Sequence, residues 1–355
     1  MAFKTIEWKN DKVRLLDQTL LPNAVKYLTI ADEKAMWEAI RMLRVRGAPA
    51  IGVAAAYGLY VGIARTKPES LKAFKKTARK VADYLATSRP TAVNLFWALK
   101  RCMAVVEAMP DDANILAAHR ALLAEAKTIH AEDFRTCDEI GTHGAPLLQQ
   151  CKGVITHCNA GALATAGMGT ALAVILKAAR KAKFTVFADE TRPLLQGARL
   201  TAWELQQAGV ETRLICDNMA GSVLKRGMAQ AAVVGADRIA ANGDAANKVG
   251  TMPLAIVCNY YKVPLYVAAP LSTFDLKLKS GDEIPIEERA AEEITSFGKR
   301  SVAPRGTKVF SPAFDVTPAK LIAGIVTEVG VLRPPYKRSI AAAFRAKSRG
   351  EKQLP

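Results

Sequence analysis

Beyond about Gly144 the chain alternates short β-branched runs with helical patterns, and no other feature limits its possible folds so strongly. The runs fall at residues 153–158, 185–190, 212–217, 231–237 and 264–269, with helical patterns at 166–183, 193–209, 222–227 and 252–261 between them. Spacings of roughly 20 to 30 residues suit right-handed βαβ crossovers and a parallel sheet covered on both faces, because a parallel connection must climb back over the sheet. Four of the runs end on Cys158, on Asp189 with Glu190, on Asp217 and on Asp237. Ligands of open parallel sheets bind beyond the carboxyl ends of the strands, so one edge of this sheet is expected to carry chemistry.

The N-terminal part follows a different rule. Residues 5–8, 12–16 and 24–30 alternate apolar and polar, as two or three short antiparallel strands do. From Asp32 the period becomes helical, with Met36, Ile40 and Leu43 on one face, and after an interruption at 44–52 a second apolar helix runs to Tyr60. Further helices are expected at 70–87, 91–108 and 112–142. Two turns in this region put an arginine just ahead of a helix, Arg46 before Gly47-Ala48-Pro49 and Arg89 before Pro90. A guanidinium beside unpaired helical N–H groups suits a phosphate, although the same turn also serves as a plain helix connection.

At 355 residues the chain accommodates two domains, and with half its residues apolar it can bury a sizeable core. Its six cysteines form no C-x-x-C pair, which favours reduced thiols in the cytoplasm. There is no long charge-free apolar run and no secretory h-region ahead of Glu7, so neither a membrane span nor a signal peptide is expected. The net charge of +17 raises the question of nucleic acid. Part of the excess lies in residues 337–355, and much of the rest in helical faces such as Lys72, Lys75, Lys76, Arg79 and Lys80. Aromatic residues are sparse at 6%, so no stacking platform is indicated and a nucleic-acid partner is not expected.

Cys158 ends its run just before a small-residue turn and a helix, a position that favours a thiolate over the core thiol that most cysteines are. His157 precedes it, but neighbours on a strand point to opposite faces, so no Cys–His dyad follows. Asp237 ends a later run; the bland alternative is an ion pair with neighbouring arginines. Asn242 and Asp244 read as turn formers, whereas Lys248, ahead of Gly250-Thr251 and an apolar helix, suits a phosphate. Cys158 and Asp237 are therefore expected to face each other across a pocket for a small phosphorylated substrate. Gly167-Met168-Gly169 with Asp189 about 20 residues on imitates a dinucleotide fingerprint, but Leu172 fills the third glycine position and the pair lies past the strand end. Zinc-ligand spacing and a G-x-S-x-G elbow are absent from the sequence.

Five ordered blocks, 46–52 (RGAPAIG), 156–161 (THCNAG), 188–202 (ADETRPLLQGARLTA), 217–221 (DNMAG) and 235–244 (GADRIAANGD), closely resemble the methylthioribose-1-phosphate isomerase family. The likeness spans about residues 1–336. It implies an α/β fold with a Rossmann-like parallel-sheet C-terminal domain at 144–336, behind a smaller, mostly helical domain at 1–143 that opens on short antiparallel strands. Residues 337–355 depart from the family and are expected to be a basic, disordered tail. The resemblance further implies a homodimer, a phosphorylated pentose as substrate, no metal and no nucleotide cofactor. Cys158 and Asp237 become the catalytic pair, with substrate contacts from Arg46, Gly47, Ala48, Arg89, Gln196, Asn247 and Lys248. Sister enzymes acting on 5-deoxyribose 1-phosphate or ribose 1,5-bisphosphate, and non-catalytic regulatory subunits of a translation-initiation exchange factor, are the related alternatives.

Overall fold

The structure is a computed structural model and describes residues 3–90, 92–298 and 300–349. Its contacts divide the chain into two compact units, Met1–Cys137 with Ala162–Gly169, and Asp138–Gly161 with Thr170–Pro355. The division falls within a helix, at 137/138 rather than the expected 143/144, and a short later segment returns to the first unit. Sequence periodicity could not locate it, because the helical pattern runs through without a break.

The first unit opens on an antiparallel sheet, β1 (Ile6–Lys9), β2 (Lys12–Leu16) and β3 (Tyr27–Ile30). Its alternation buries Ile6, Val13, Leu15 and Ile30 on one face. Five helices follow: α1 (Glu33–Arg41), α2 (Ala48–Ala64), α3 (Leu71–Ala86), α4 (Val93–Glu107) and α5 (Ile115–Gly144). The Asp32 carboxylate caps α1 by accepting from the Ala35 N–H at 2.8 Å. The small-residue helix α2 is buried almost all round. A Cβ at Gly52 would lie 3.0 Å from the Asn94 carbonyl, so this glycine sets how closely α2 approaches α4.

The second unit contains β4 (Gly153–Thr156), α6 (Ala171–Ala179), β5 (Thr185–Asp189), α7 (Ala202–Gln207), β6 (Thr212–Ile215), α8 (Ala220–Lys225), β7 (Ala231–Val234), β8 (Arg238–Ala240), β9 (Ala245–Lys248), α9 (Thr251–Tyr260), β10 (Leu265–Ala268), β11 (Phe274–Asp275), α10 (Glu292–Thr295), β12 (Ser296–Phe297), β13 (Arg300–Ser301), β14 (Phe314–Thr317), β15 (Gly324–Thr327), β16 (Gly330–Leu332) and α11 (Tyr336–Ser348). Seven strands form one sheet in the order β16-β15-β10-β7-β4-β5-β6, parallel throughout except for β16, which runs against β15. Chain order grows outward from β4 through β5 to β6 on one side and from β7 through β10 to β15 on the other. Ligands of such sheets bind at the carboxyl edge where this order reverses, here between β4 and β7.

Two stretches differ from expectation. Around the expected turn formers Asn242 and Asp244, residues 238–248 form the antiparallel pair β8–β9 inside a small sheet ordered β11-β8-β9-β14, with the turn at its tip. The expected disordered tail carries α11, with Tyr336, Ile340, Ala343 and Ala346 buried; residues 350–355 lie outside the described residues. Spacings of four and three put these four on one helical stripe, a signal outweighed in the sequence by the basic residues between them. Among the described residues no helix is long and apolar enough to cross a membrane.

Candidate active site

The four polar strand ends lie side by side, because β7, β4, β5 and β6 are successive neighbours in the sheet. Ile155 pairs with Ala232, so Cys158 follows its strand three residues past that pair and Asp237 follows β7 five residues past it. The loops touch at this edge: a Cβ at Gly235 would fall 2.7 Å from that of Ala160. Cys158 is buried at 7% exposure and Asp237 is half-buried. The structure thus brings the two expected catalytic residues to the carboxyl edge at the order reversal.

Cys158 stands at φ +62°, a left-handed conformation uncommon for a residue with a side chain. Two threonines hold it there. Its N–H donates to Thr191 Oγ1 at 2.8 Å, and its carbonyl accepts from Thr201 Oγ1 at 2.6 Å. Thr191 is itself at φ +65° and donates to the Asp189 carbonyl at 3.0 Å. Strained backbone persists where the surroundings over-determine it, and such positions cluster at functional sites. The neighbouring Asn159 is anchored through Nδ2 to the buried Glu204 carboxylate at 2.8 Å.

Asp237 starts the turn into β8, its N–H donating to Ala246 at 2.9 Å. The returning β9 carries Asn247 and Lys248 back toward this turn. Asn247 is buried and donates to Thr251 Oγ1 at 3.0 Å. Lys248 donates to the Ala313 carbonyl at 2.6 Å, with its ammonium 4.4 Å from the centre of the Phe314 ring. Gln196 precedes a π-helical turn, Gly197–Thr201, whose first residue packs so closely on the Asp189 carbonyl that only glycine fits. Buried at 6% exposure, Gln196 leaves Oε1 without a hydrogen-bond partner. An unsatisfied buried acceptor is costly unless a ligand donor meets it.

The remaining expected ligands belong to the first unit. Gly47, at φ +89°, caps α2 with Arg46 before it and Ala48 as the first helical residue; a Cβ there would lie 2.4 Å from the Ala164 carbonyl. Arg89 lies in the turn before α4 and its carbonyl accepts from the Ala92 N–H at 3.1 Å. The Gly52–Asn94 contact joins the first turns of α2 and α4, so these two arginine-bearing helix starts share one end of the helix pair. Helix N-termini with flanking cations favour anions.

Below Cys158 sits a network that sequence reasoning did not assign. His157 is buried, with Nδ1 2.9 Å from Asp189 Oδ2 and 3.9 Å from Asp217 Oδ1, while Nε2 is 2.9 Å from the Val249 carbonyl. Burial alone would lower its pKa, but the Asp189 hydrogen bond and charge, together with Asp217 and Val249, outweigh it and raise the pKa. Burial also pushes the Asp189 carboxyl up to about 6 against the pull of His157. Asp217 accepts the Thr191 and Arg192 N–H groups, each at 2.7 Å. The three side chains bring potential metal-ligand atoms within 4.8 Å of one another; Asp189 Oδ2 meets His157 and Asp217 accepts backbone N–H groups, while the buried Asp189 Oδ1 has no hydrogen-bond partner. With Asp189 buried against His157, the acid of the imitated dinucleotide fingerprint is not free to meet a ribose. Two acids on neighbouring strand ends, Asp189 at the end of β5 and Asp217 after β6, were the available signal for this network.

The initiation factor 2 subunit family matches residues 44–334. The chain is 55% identical over 344 residues to a methylthioribose-1-phosphate isomerase of Geotalea daltonii, covering 96% of this chain and 99% of that one. It is 53% identical to a 5-deoxyribose 1-phosphate isomerase of Moorella thermoacetica, covering 97% and 98%. Among solved structures it resembles 5-methylthioribose 1-phosphate isomerase from Pyrococcus horikoshii, with a TM-score of 0.91 at 42% identity, covering 97% and 96%.

Proposed function

We propose, for a chain that belongs to the methylthioribose-1-phosphate isomerase family within the initiation factor 2 subunit family, that it converts 5-methylthioribose 1-phosphate into 5-methylthioribulose 1-phosphate in methionine salvage. The observation that carries this reading is that Cys158 and Asp237 leave adjacent parallel strands at the point where strand order reverses. The second unit is read accordingly as a Rossmann-like catalytic domain, and the protein as a cytoplasmic homodimer.

The difficulty of the reaction is physical: phosphate on the anomeric oxygen prevents spontaneous ring opening, so no free aldehyde forms. Asp237 protonates the ring oxygen as its bond to C1 breaks. Cys158, as thiolate, then takes the C2 proton to give an enol phosphate and returns a proton to C1, while the C2 hydroxyl proton restores Asp237. In the competing route a hydride moves from C2 to C1 and Cys158 only stabilises charge. Solvent deuterium washed into C1 supports the first route, and its absence the second. Arg46, Gly47, Ala48, Arg89, Asn247 and Lys248 are proposed to hold the substrate and disfavour loss of phosphate, with Gln196 accepting from a sugar hydroxyl through its unpaired Oε1.

The Moorella relative supports a second reading, since 53% and 55% identity do not separate a 5-deoxy from a 5-methylthio substrate. The test is a panel of 5-methylthio-, 5-deoxy- and 5-phosphoribose 1-phosphates assayed for ketose formation, with Cys158→Ala and Asp237→Asn alongside. Highest kcat/KM on the methylthio sugar supports the first reading. Folded variants that still turn over would refute the site, and no turnover of any sugar would favour a regulatory subunit.

A further inference from the structure

We propose that His157 is the positioning residue of this site: a buried imidazolium that donates from both ring nitrogens, to Asp189 and to the Val249 carbonyl, and so ties the Lys248–Gly250 turn to the carboxyl ends of β4 and β5. The inference rests on the isomerase reading for its substrate and on geometry for its mechanism. A carbonyl oxygen only accepts, so Nε2 at 2.9 Å from Val249 must carry hydrogen. Nδ1, at 2.9 Å from an ionised carboxylate, must carry one as well. With the Asp189 carboxylate ionised, only the doubly protonated ring satisfies both.

Val249 follows Lys248 directly, and Gly250 caps α9 at φ +104°. A Cβ on Gly250 would lie 2.7 Å from His157 Cε1, so ring and turn are in contact as well as hydrogen-bonded. On its far side the turn is fixed by Asp315, which accepts the Gly250 N–H at 2.6 Å and the Met252 N–H at 3.1 Å. His157 therefore links the strand that bears Cys158 to the turn that bears the proposed phosphate ligand.

Deprotonation has a directional consequence. The charged groups acting on the ring are Asp189, Asp217 and Asp315; Glu190 acts on Asp189, and Lys248 acts on Asp315. Cys258 also lies in the field of Asp189. A neutral ring keeps one hydrogen, and an ionised carboxylate binds it more strongly than a neutral carbonyl does. The hydrogen stays on Nδ1, Nε2 presents a lone pair to Val249, and the turn is released. Since burial is outweighed and the His157 pKa is raised, the clamp opens as pH rises through a pKa above the ordinary histidine value.

Asp189→Asn reverses this logic. Its amide donates to Nδ1, the single ring hydrogen moves to Nε2, and the neutral histidine keeps hold of Val249 at every pH. With whichever sugar phosphate the panel identifies, wild-type KM is expected to rise about tenfold on the alkaline side while that of Asp189→Asn stays flat, a change of the size of one lost charge-assisted hydrogen bond. An alkaline KM limb in both proteins, or in neither, overturns the proposal. Nitrogen-15 NMR of histidine-labelled wild-type protein tests it even if the variant does not fold. Two protonated ring nitrogens on His157 at neutral pH, with Nε2–H lost first on titration, are expected; a neutral ring at pH 7 overturns the clamp. Failure of the isomerase reading looks different, as absent turnover with an intact NMR signature.

Discussion

Gly250→Ala separates the backbone geometry of the turn from its contact with His157. The substitution puts a side chain at φ +104°, which costs about 1–2 kcal/mol in a left-handed region. It also sets a methyl 2.7 Å from Cε1 and 2.9 Å from Nε2 of His157, inside any tolerable contact. Relief requires the ring to move off Val249, forfeiting a hydrogen bond from a charged donor worth roughly 1.5–3 kcal/mol. The total is about 3–5 kcal/mol. Gly209→Ala is the matched control, since Gly209 has φ +68° with nothing within 4 Å of its added Cβ, and should cost only about 1–2 kcal/mol. For a domain of this size the difference corresponds to a Tm about 5–10 °C lower in Gly250→Ala than in Gly209→Ala. Urea unfolding of both proteins at pH 7, with differential scanning calorimetry, reads it directly. Equal destabilisation would mean that the His157 ring does not press on the turn, and the clamp argument would fail with it.

Cys158→Ala and Asp237→Asn should each reduce kcat by at least about a hundredfold while melting within a few degrees of wild type, because each removes a group proposed to act on the reacting sugar; retained steady-state turnover in well-folded protein contradicts the assignment. In the first unit, burial pushes the Asp133 carboxyl up to about 6 against the pull of the Ala166 and Gly167 N–H groups. The folded state then holds the proton more tightly than the unfolded one, so this group's contribution falls as pH climbs from about 4 to about 6 and is a penalty above that. Asp133→Asn, whose carbonyl still accepts from Ala166, should flatten that part of the stability–pH curve and stabilise the protein at pH 7, as chemical denaturation across pH would detect. Ile340→Ala, in a residue 2% exposed on α11, should cost about 2–4 kcal/mol in a melting experiment, whereas a disordered tail would register no change.

How far the sequence reached depended on the range of the forces involved. Local periodicity carried β1 to β3, the N-terminal helices and five strands of the large sheet, because those elements are encoded within a few residues of themselves. The pairs β8–β9 and β15–β16 were not legible, since Asn242-Gly243-Asp244 makes the first read as a turn and β16 offers only three residues of alternation. Cys158 and Asp237 stand out in the sequence through glycine-rich turns and position at strand ends, and the sheet order puts those ends side by side. Alternation along the strand points His157 away from Cys158, and nothing near it in the sequence offers another partner. Its partners come from residues 32 and 92 positions away, and they meet it only because β5 lies beside β4 and the β9–α9 turn returns to the same edge. Strand order is a property of the whole sheet, and no window of sequence contains it. Asp189, Asp217 and Asp237 were each visible as polar strand ends; what remained hidden is that the first two face inward to a buried histidine while the third begins the turn that carries β8. The same residue type at the same kind of position thus enters two different surroundings according to its neighbour in the sheet, and the proposed clamp rests on the order β7-β4-β5-β6.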